Sequence, residues 1–444
     1  MDSSRIQPRV IPRQDHGISR KQISPNALRV LYRLQEAGFS AYLVGGAVRD
    51  LLVGGSPKDF DVATDATPDQ VRALFRNCRL IGRRFRLAHV VYGPEIIEVA
   101  TFRAGEDDGS GEREIENGVL VRDNVYGSIE DDAVRRDFTA NALYYAISDF
   151  SVRDFVGGYE DVQARRLRLI GDPATRYQED PVRMLRAARL SAKLGFEIES
   201  ATAAPIATLG FLLEGSSSAR LFAESLKLFM MGHAERSFEV LEAHGLLPVL
   251  LPELAKALCN DPHGQCRSMV RLALAMTDER VAADKPVTPA FLFAALLWPA
   301  YASELHHLLM SGADLAVAEQ RAADRVTLRQ TDRLAIPKRF TVPMHEIWWL
   351  QSRFPLRQRK RVLRLLHHPR FRAAFDFLEL RAEAAPELTD EVAWWRDAQS
   401  VDVDALVERL QPKTGRSGSR EAGSVSAPTG RRRKPRRRPA PPPA

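Results

Sequence analysis

Residues 43–64 read LVGGAVRDLLVGGSPKDFDVAT, and this stretch decides the fold. An apolar run ends at a glycine pair, a short helical segment follows, and a second run carries Asp59 and Asp61 on either side of Phe60. Successive side chains of a strand point to opposite faces, so we expect both carboxylates on one face and Phe60 on the other. The stretch predicts a strand, a glycine turn, a helix and a second strand that places two like charges side by side.

The two neighbouring carboxylates need a partner, because like charges that lie close together repel each other. Mg²⁺ takes oxygen ligands, usually one or two protein carboxylates, and completes its coordination with water and substrate phosphates. Asp59 and Asp61 are therefore candidate ligands for two Mg²⁺ ions, or Mn²⁺ in their place, in an in-line displacement on a nucleoside triphosphate. The alternative is a solvated acidic strand face, which is the commoner explanation of an isolated pair of this kind.

The glycine turn gives the acidic pair a context. Gly45 and Gly46 let the backbone approach a phosphate closely, and the N–H groups that open the next helix point toward it. Arg49, in that helix, adds a positive charge for the phosphate. Glycine pairs are common in ordinary turns, so the turn alone predicts no ligand. Together with the acidic pair it predicts a nucleotide-binding site.

Length and composition limit the class of protein. The chain has 444 residues, of which 45% are hydrophobic and 27% charged, as expected of a soluble globular protein with two or three domains. Its three cysteines, Cys78, Cys259 and Cys266, form no metal-binding or disulfide pattern, which predicts a reducing compartment and no structural zinc. The N-terminal segment is polar and no stretch reaches roughly 18 apolar residues, so we expect a cytoplasmic protein without a membrane span.

The C-terminal segment 411–444 accounts for the excess of positive over negative charge in the chain. It holds ten Lys or Arg residues against Glu421 alone, and is otherwise rich in Gly, Ser and Pro. Such a composition predicts disorder and a polyanionic partner, although basic runs also serve only to keep a protein in solution. The candidate RNA-binding residues in this tail are Arg431, Arg432, Arg433, Lys434, Arg436, Arg437 and Arg438.

The rest of the chain changes character near residue 150. Strands are predicted at 41–46, 57–63, 79–92 and 95–102, with one helix after Gly46 and another opened by Thr67-Pro68. Beyond Asp180-Pro181 the apolar residues follow helical spacing. The sequence therefore predicts an α+β fold, with a mixed sheet and helices first and helices alone afterwards.

Two further segments complete a resemblance. With LVGGAVRDLL…KDFDVAT, the segments RRDFTANALYY (135–145) and EDPVRMLRAARLSAKLG (179–195) resemble the nucleotidyltransferase head of the DNA polymerase β superfamily. Within it they resemble the branch that contains tRNA CCA-adding enzymes and bacterial poly(A) polymerases. The resemblance implies a polymerase β-like head, an all-helical neck and body, and a disordered basic tail. The domain boundaries predicted on this basis are 1–23 for a polar extension, 24–155 for the catalytic head, 156–215 for the neck, 216–410 for a helical RNA-binding body and 411–444 for the tail.

The resemblance also assigns roles to residues of the later motifs. Arg136 would contact the triphosphate. The third acid would be Asp137 or Glu98, and the sequence does not decide between them.

The neck segment has a physical interpretation of its own. Asp180 and Pro181 suit the start of a helix, along which Arg183, Arg186 and Arg189 share one side. An arginine row of this kind is most often a solvated face. The resemblance assigns Asp180 and Arg183 to the Watson–Crick edge of the incoming base, and Arg186 and Arg189 to the nucleotide around it.

The choice between the two activities depends on other segments. Residues 80–103, LIGRRFRLAHVVYGPEIIEVATFR, resemble the poly(A) polymerase branch, although that branch often has a glycine where this chain has Ala47. We therefore predict a template-independent polynucleotide adenylyltransferase that adds AMP from ATP to RNA 3′ ends. The alternatives are a CCA-adding enzyme, which would use CTP, and a non-catalytic RNA-binding protein, which the presence of both Asp59 and Asp61 disfavours. We expect Trp349, Trp394 and Trp395 to belong to the helical core and not to a base-stacking platform.

Overall fold

The N-terminal part of the chain builds one mixed sheet. A computed structural model describes residues 7–82, 86–104, 113–116, 119–123 and 125–410. The strands are β1 (Arg9–Ile11), β2 (Ala41–Val44), β3 (Asp61–Thr64), β4 (Cys78–Ile81), β5 (Leu87–Tyr92), β6 (Glu95–Thr101), β7 (Arg113–Glu116), β8 (Val119–Asp123), β9 (Leu143–Ala146), β10 (Val152–Asp154), β11 (Arg166–Leu167) and β12 (Glu197–Ile198). Eight of them form a sheet in the order β1-β10-β9-β2-β3-β6-β5-β4, in which only β3 and β6 run parallel.

Helices cover this sheet and then make up almost all of the remaining chain. The helices are α1 (Pro25–Glu36), α2 (Gly46–Leu52), α3 (Pro68–Leu74), α4 (Ile129–Arg135), α5 (Gly158–Gln163), α6 (Pro173–Glu179), α7 (Val182–Leu194), α8 (Ser200–Ala203), α9 (Ile206–Leu209), α10 (Ser218–Phe229), α11 (Ala234–Ala243), α12 (Leu247–Leu250), α13 (Pro252–Cys259), α14 (Gln265–Ala282), α15 (Pro289–Met310), α16 (Leu315–Thr331), α17 (Lys338–Gln351), α18 (Arg359–Leu366), α19 (Phe371–Ala384), α20 (Thr389–Ser400) and α21 (Val403–Arg409). Short 3₁₀ turns lie at Arg13–Asp15, Arg20–Gln22, Thr139–Asn141, Gly210–Gly215 and Pro386–Leu388. The predicted α+β class is confirmed.

The opening motif folds largely as expected. The apolar run becomes the central strand β2, which pairs with β3 on one side and β9 on the other. Gly46 opens α2, and Thr67 caps α3 through a reciprocal pair of hydrogen bonds with Gln70. One boundary differs, because β3 begins at Asp61. Asp59 therefore precedes the strand instead of lying on it, while Phe60 is buried as predicted.

Two other segments differ from the sequence expectation. Where one strand was predicted at 79–92, the described residues form two antiparallel strands, β4 and β5. The predicted N-terminal extension contributes β1, which pairs with β10 at the edge of the sheet. None of the described helices is long and apolar enough to cross a membrane. The basic tail 411–444, with its seven candidate RNA-binding residues, lies outside the described residues.

The neck helix α7 begins at Val182, one residue later than expected, and Asp180 Oδ1 accepts the Val182 N–H at 3.2 Å. Gly195 ends it with a φ of 71°, a left-handed conformation that suits glycine. Its arginines lie on one side, as predicted, and Leu185, Ala188 and Ala192 are buried on the other. A single large core runs from the sheet into the helical body, and a second core joins the ends of α17 and α18 to α19, α20 and α21.

Candidate active site

Strands β3 and β6 bring the acidic side chains of Asp61 and Glu98 together beside the end of β2. Asp61, the first residue of β3, is opposite Val44 on the antiparallel strand β2 and opposite Glu98 on the parallel strand β6. Glu98 Oε2 in turn lies 3.4 Å from His89 Nε2 on β5. A cleft of about 160 Å³ is lined by Val44, Asp61, Val62, Leu87, Glu98, Ala100, Arg103, Asp132, Arg135 and Arg136. The sheet register therefore places the Asp61 and Glu98 carboxylates at one cavity, whose lining also includes Asp132 and three arginines.

Asp61 has an unusual electrostatic environment. Its side chain keeps access to solvent, yet its pKa is raised to about 6, chiefly because the surrounding protein desolvates the carboxylate. Within this net shift the Glu98 and Asp59 carboxylates act in the same direction as desolvation, and the Arg136 guanidinium opposes it. Asp59 does not line the cleft, but its charge is close enough to act on Asp61. The structure thus brings Asp59, Asp61 and Glu98 into one electrostatic group.

Hydrogen bonds to Asp132 and Tyr144 hold the Arg136 side chain in place. Its Nε and Nη2 donate to Asp132 Oδ2 at 3.1 and 2.9 Å, and its Nε lies 3.0 Å from the Tyr144 hydroxyl. The Tyr144 hydroxyl itself donates to Asp132 Oδ2 at 2.7 Å. Burial disfavours the charge on Arg136, but Tyr144 and Asp132 outweigh burial and raise its pKa. Arg136 is therefore a fixed positive charge, and its side chain remains 22% exposed.

The glycine turn meets this group directly. Gly45 has a φ of 75°, and a Cβ at this position would lie 3.7 Å from Arg136 Nη1 and 3.9 Å from Asp61 Oδ2. A side chain would therefore be strained by the backbone and would fill the space between the acid and the arginine. A Cβ at Gly46 would lie 3.3 Å from Arg49 Nη2. The turn leaves its backbone open toward the charged groups.

Arg49 and Asp137 occupy different positions from the cleft residues. Arg49 is 3% exposed, and its guanidinium donates to the Asp50 carboxylate and the Asn141 side chain. Asp137 accepts the Phe138 N–H at 2.9 Å and forms an ion pair with Arg186 of the neck helix. In this structure both side chains are bound to other residues of the protein, and neither lines the cleft.

The predicted base-reading residues of the neck have partners of their own. Arg183 Nη1 donates to the Arg176 carbonyl at 2.6 Å and to Glu179 Oε2 at 2.9 Å. Asp180 pairs with Arg220 of α10.

The two later arginines of α7 each join the neck to another part of the protein. Arg186 reaches the head through Asp137, and Arg189 reaches the body through Glu224. Three of the four predicted neck residues, Asp180, Arg186 and Arg189, therefore bridge neighbouring parts of the protein.

Sequence reasoning missed the residues that hold Arg136 and Arg49. Asp132 lies four residues before Arg136 at the end of α4, a spacing that brings side chains together. Tyr144 follows eight residues later on β9, whose four residues are all buried, so a polar hydroxyl there required a partner. Asn141 belongs to the quoted motif, but its contact with Arg49, 92 residues away, has no local signal.

The carboxylates at the cleft suit a divalent cation whose coordination is completed by the substrate. In the described part of the chain, no three His, Cys, Asp or Glu side chains converge to hold a metal ion alone. Mg²⁺ needs no such cage, because it usually takes one or two carboxylates and fills its other positions with water and phosphate oxygens. Repulsion from the Glu98 and Asp59 carboxylates contributes to the raised pKa of Asp61. A bound cation would relieve this repulsion, as expected at a metal site.

Asp61→Asn is expected to stabilise the protein slightly above about pH 7. The folded-state pKa of about 6 exceeds the unfolded value, so ionised Asp61 destabilises the fold. This cost is absent below about pH 4 and complete above about pH 7. Because Asp61 is solvent-accessible, we expect the melting temperature to rise by only about one or two degrees at neutral pH and to be unchanged at acid pH. Calorimetry across this pH range checks the result, and a lower melting temperature for the variant at neutral pH would contradict it.

Family models match three parts of the chain. The poly A polymerase head domain matches residues 41–168, the probable RNA and SrmB-binding site of polymerase A matches 195–258, and the polymerase A arginine-rich C-terminus matches 311–439. The poly(A) polymerase I of Salmonella typhimurium is 48% identical over 436 residues, which cover 97% of this chain and 92% of that protein. The predicted family is therefore supported along nearly the whole length.

CCA-adding enzymes are similar to less of the sequence. The CCA-adding enzyme of Bacillus pumilus is 38% identical over 236 residues, or 53% of this chain and 57% of that protein. The crystal structure of the Bacillus stearothermophilus CCA-adding enzyme with CTP has a TM-score of 0.57 at 24% identity, covering 88% of this chain and 90% of that one. This structural likeness concerns the fold alone. The prediction of the polyadenylating branch is confirmed, and the chain belongs to the poly(A) polymerase family.

Proposed function

We propose that Asp59 and Asp61 hold two Mg²⁺ ions against the triphosphate of ATP while the chain adds AMP to RNA 3′ ends. As a member of its family the chain is a polynucleotide adenylyltransferase, and the family uses ATP with a divalent metal ion. The number and identity of the ions are our proposal. The observation that supports it is the meeting of Asp61, Glu98 and Arg136 at one cleft beside the Gly45 turn.

The protein groups have complementary tasks in this proposal. When bound, Mg²⁺ lowers the pKa of the RNA 3′-hydroxyl and neutralises charge on the α-phosphate and on the leaving pyrophosphate. Gly45 and Gly46 provide room for the phosphates, and the fixed charge of Arg136 stabilises the negative charge that develops in the transition state. Arg49, closed by Asp50 and Asn141, supports the turn that carries these phosphates.

Glu98 is our proposed third acid, in preference to Asp137. Glu98 lies opposite Asp61 in the sheet, lines the same cleft and acts on the pKa of Asp61. Asp137 is neutralised by Arg186, so we propose that it positions the neck helix relative to the head. Arg186 and Arg189 would then fix the distance between the nucleotide site and the neck.

Asp180 and Arg183 are proposed to read the base. Both are partly exposed at the start of α7, and both carry hydrogen-bonding groups that suit the Watson–Crick edge of adenine. In this structure they are bound to Arg220 and Glu179, so base recognition would exchange or share these partners. Cys78, Cys259 and Cys266 are all free thiols, which supports a cytoplasmic location.

The direct experiment is incubation of the purified chain with a short RNA and each nucleotide in turn. A ladder of products with ATP and Mg²⁺, abolished by a chelator and restored by excess Mg²⁺, is the expected result. Products formed equally well in the presence of the chelator would contradict metal-dependent transfer.

Deletion of residues 411–444 is expected to weaken RNA binding and to flatten its dependence on salt. The deletion removes ten basic residues and one acid, and each phosphate contact to single-stranded RNA contributes about 0.7 to the slope of log K against log salt. The reaction rate at saturating RNA should change little, because no cleft residue is lost. Binding titrations at several salt concentrations provide the measurement, and an unchanged slope would mean that the tail does not contact RNA.

A further inference from the structure

A second cleft, far along the chain from the predicted catalytic residues, lies between α17 and α18. It has a volume of about 500 Å³, which is within the range of sites that bind nucleotide-sized ligands. All of its lining residues lie between positions 346 and 368, so the head contributes none. Leu350 and Leu365 are buried in the C-terminal core, while Leu356 remains 38% exposed at the cleft.

The cleft is strongly basic. Arg353, Arg361, Arg364 and His368 line it, and its one acid, Glu346, is already paired with Arg370 at 3.0 Å. Neither Arg361 nor Arg364 forms an ion pair with any residue that the structure describes. Residues 353–370 contain seven Lys or Arg and no acid. Two unpaired guanidinium groups in such a segment favour an anionic ligand with phosphate-like geometry.

An aromatic side chain completes the cleft. Trp349 is partly exposed at its lining, and its indole N–H has no hydrogen-bond partner among the described residues. Its neighbour Trp348 and the distant Trp395 are instead fully buried and donate to backbone carbonyls at 3.0 Å. Trp395 therefore belongs to the core as predicted, and Trp349 also packs against the core while its partly exposed side chain lines the cleft.

We propose that this cleft binds a single-stranded segment of the RNA, upstream of the 3′ end that is extended. Phosphates would contact Arg361 and Arg364, and a base would stack on Trp349, the combination that binds single strands without sequence preference. The inference rests on the proposed function, because it takes RNA as the substrate. The cleft would keep the RNA attached between successive additions and would not contact the reacting atoms.

The position of the cleft supports this occupant. Val362 and Leu365 of α18 pack into the C-terminal core that also contains Leu406, only a few residues before the basic tail begins. The cleft therefore lies on the core that contains the last described helix, and the tail that follows in sequence carries charge of the same sign. An RNA strand attracted by the charge of this part of the sequence would find a built site in the cleft.

Two double variants of α18 test the proposal. Arg361→Gln/Arg364→Gln removes two charges from the cleft, and Arg359→Gln/Lys360→Gln removes two exposed charges from the same helix outside it. For an unstructured RNA of roughly 20 nucleotides, we expect the cleft variant to raise Kd about tenfold and to lower the salt slope by about 1.4. The control variant should change Kd less than about threefold. When a trap captures any RNA that dissociates during the reaction, only the cleft variant should make shorter products. Equal effects of the two variants would overturn the proposal.

Cross-linking of the unmodified chain provides an independent readout that does not depend on a variant folding. RNA that carries 4-thiouridine should label the peptide containing Trp349, and excess ATP should not prevent this labelling. No label on residues 346–368, or complete protection by ATP alone, would overturn the RNA site. Failure of the proposed function is distinguishable, because it would appear as no AMP incorporation by the unmodified chain on any RNA.

Discussion

Asp61→Asn is expected to reduce AMP incorporation by at least about a thousandfold, equivalent to roughly 4 kcal/mol of transition-state stabilisation. The substitution preserves shape but removes the charge at the point where β3, β6 and the Gly45 turn meet. Asp59→Asn should have an effect of the same order, because its carboxylate belongs to the same electrostatic group. Single-turnover incorporation of AMP into a short RNA, at saturating ATP and Mg²⁺, is the measurement.

The matched control is Asp69→Asn, the same change at an acid that is 70% exposed on α3 and lies outside the cleft. It should retain normal turnover. Loss of activity with an unchanged or raised melting temperature separates a catalytic role for Asp61 from a structural one. Near-normal turnover of Asp61→Asn would remove the basis for the two-metal proposal.

The same assay decides between the two candidate third acids. Glu98→Gln should lower the rate at saturating substrate and weaken the apparent affinity for Mg²⁺, because Glu98 faces Asp61 across β3 and β6. Asp137→Asn should leave the affinity for Mg²⁺ unchanged and act through the neck, since its partner is Arg186. The reverse pattern would assign the metal to Asp137.

The sequence predicted the elements and the chemistry of the site better than its contacts. Asp59 and Asp61 stood out because like charges at alternate positions need an explanation, and Gly45 and Gly46 did so because glycine lets the backbone approach a phosphate closely. The positive φ of Gly45 is consistent with that role. The start of β3 was misplaced because Phe60 and the two acids have the alternation of a strand whether or not Asp59 is paired. Only the observed pairing with β2 shows that the strand begins at Asp61.

Contacts between residues that are far apart in the sequence could not be predicted, because no local sequence pattern indicates them. The spacing of Arg183, Arg186 and Arg189 predicted a shared helix side, and the structure agrees. Their acceptors come from the preceding helix, the head and the body, so no periodicity in α7 could identify them. For the same reason the contact of Arg49 with Asn141, 92 residues away, could not be predicted when Arg49 was assigned to the phosphate.

Arg183→Ala is expected to relax nucleotide choice more than it slows AMP transfer. If Asp180 and Arg183 present a fixed hydrogen-bonding edge for adenine, CTP leaves these polar groups unsatisfied in the unmodified chain, which discriminates against it. Without the arginine, the preference for ATP over CTP should fall by roughly 10- to 100-fold, while the rate with saturating ATP falls less than about tenfold. The ratio of kcat/KM for the two nucleotides on a generic RNA is the measurement.

The position of Arg183 makes this prediction specific. Its guanidinium is held by the Arg176 carbonyl and Glu179, so its direction is set by the turn between α6 and α7 and not by the metal site. Lys193→Ala is the matched control, because it removes a cation from the same helix near its other end, where it pairs weakly with Asp50 at 3.5 Å. An unchanged ATP preference in Arg183→Ala would mean that base selection lies elsewhere, whereas equal relaxation in both variants would trace it to the charge of α7 as a whole. A lowered preference in Arg183→Ala alone would assign the base edge to this residue at the start of the neck helix, close in sequence to the Asp180 that pairs with Arg220.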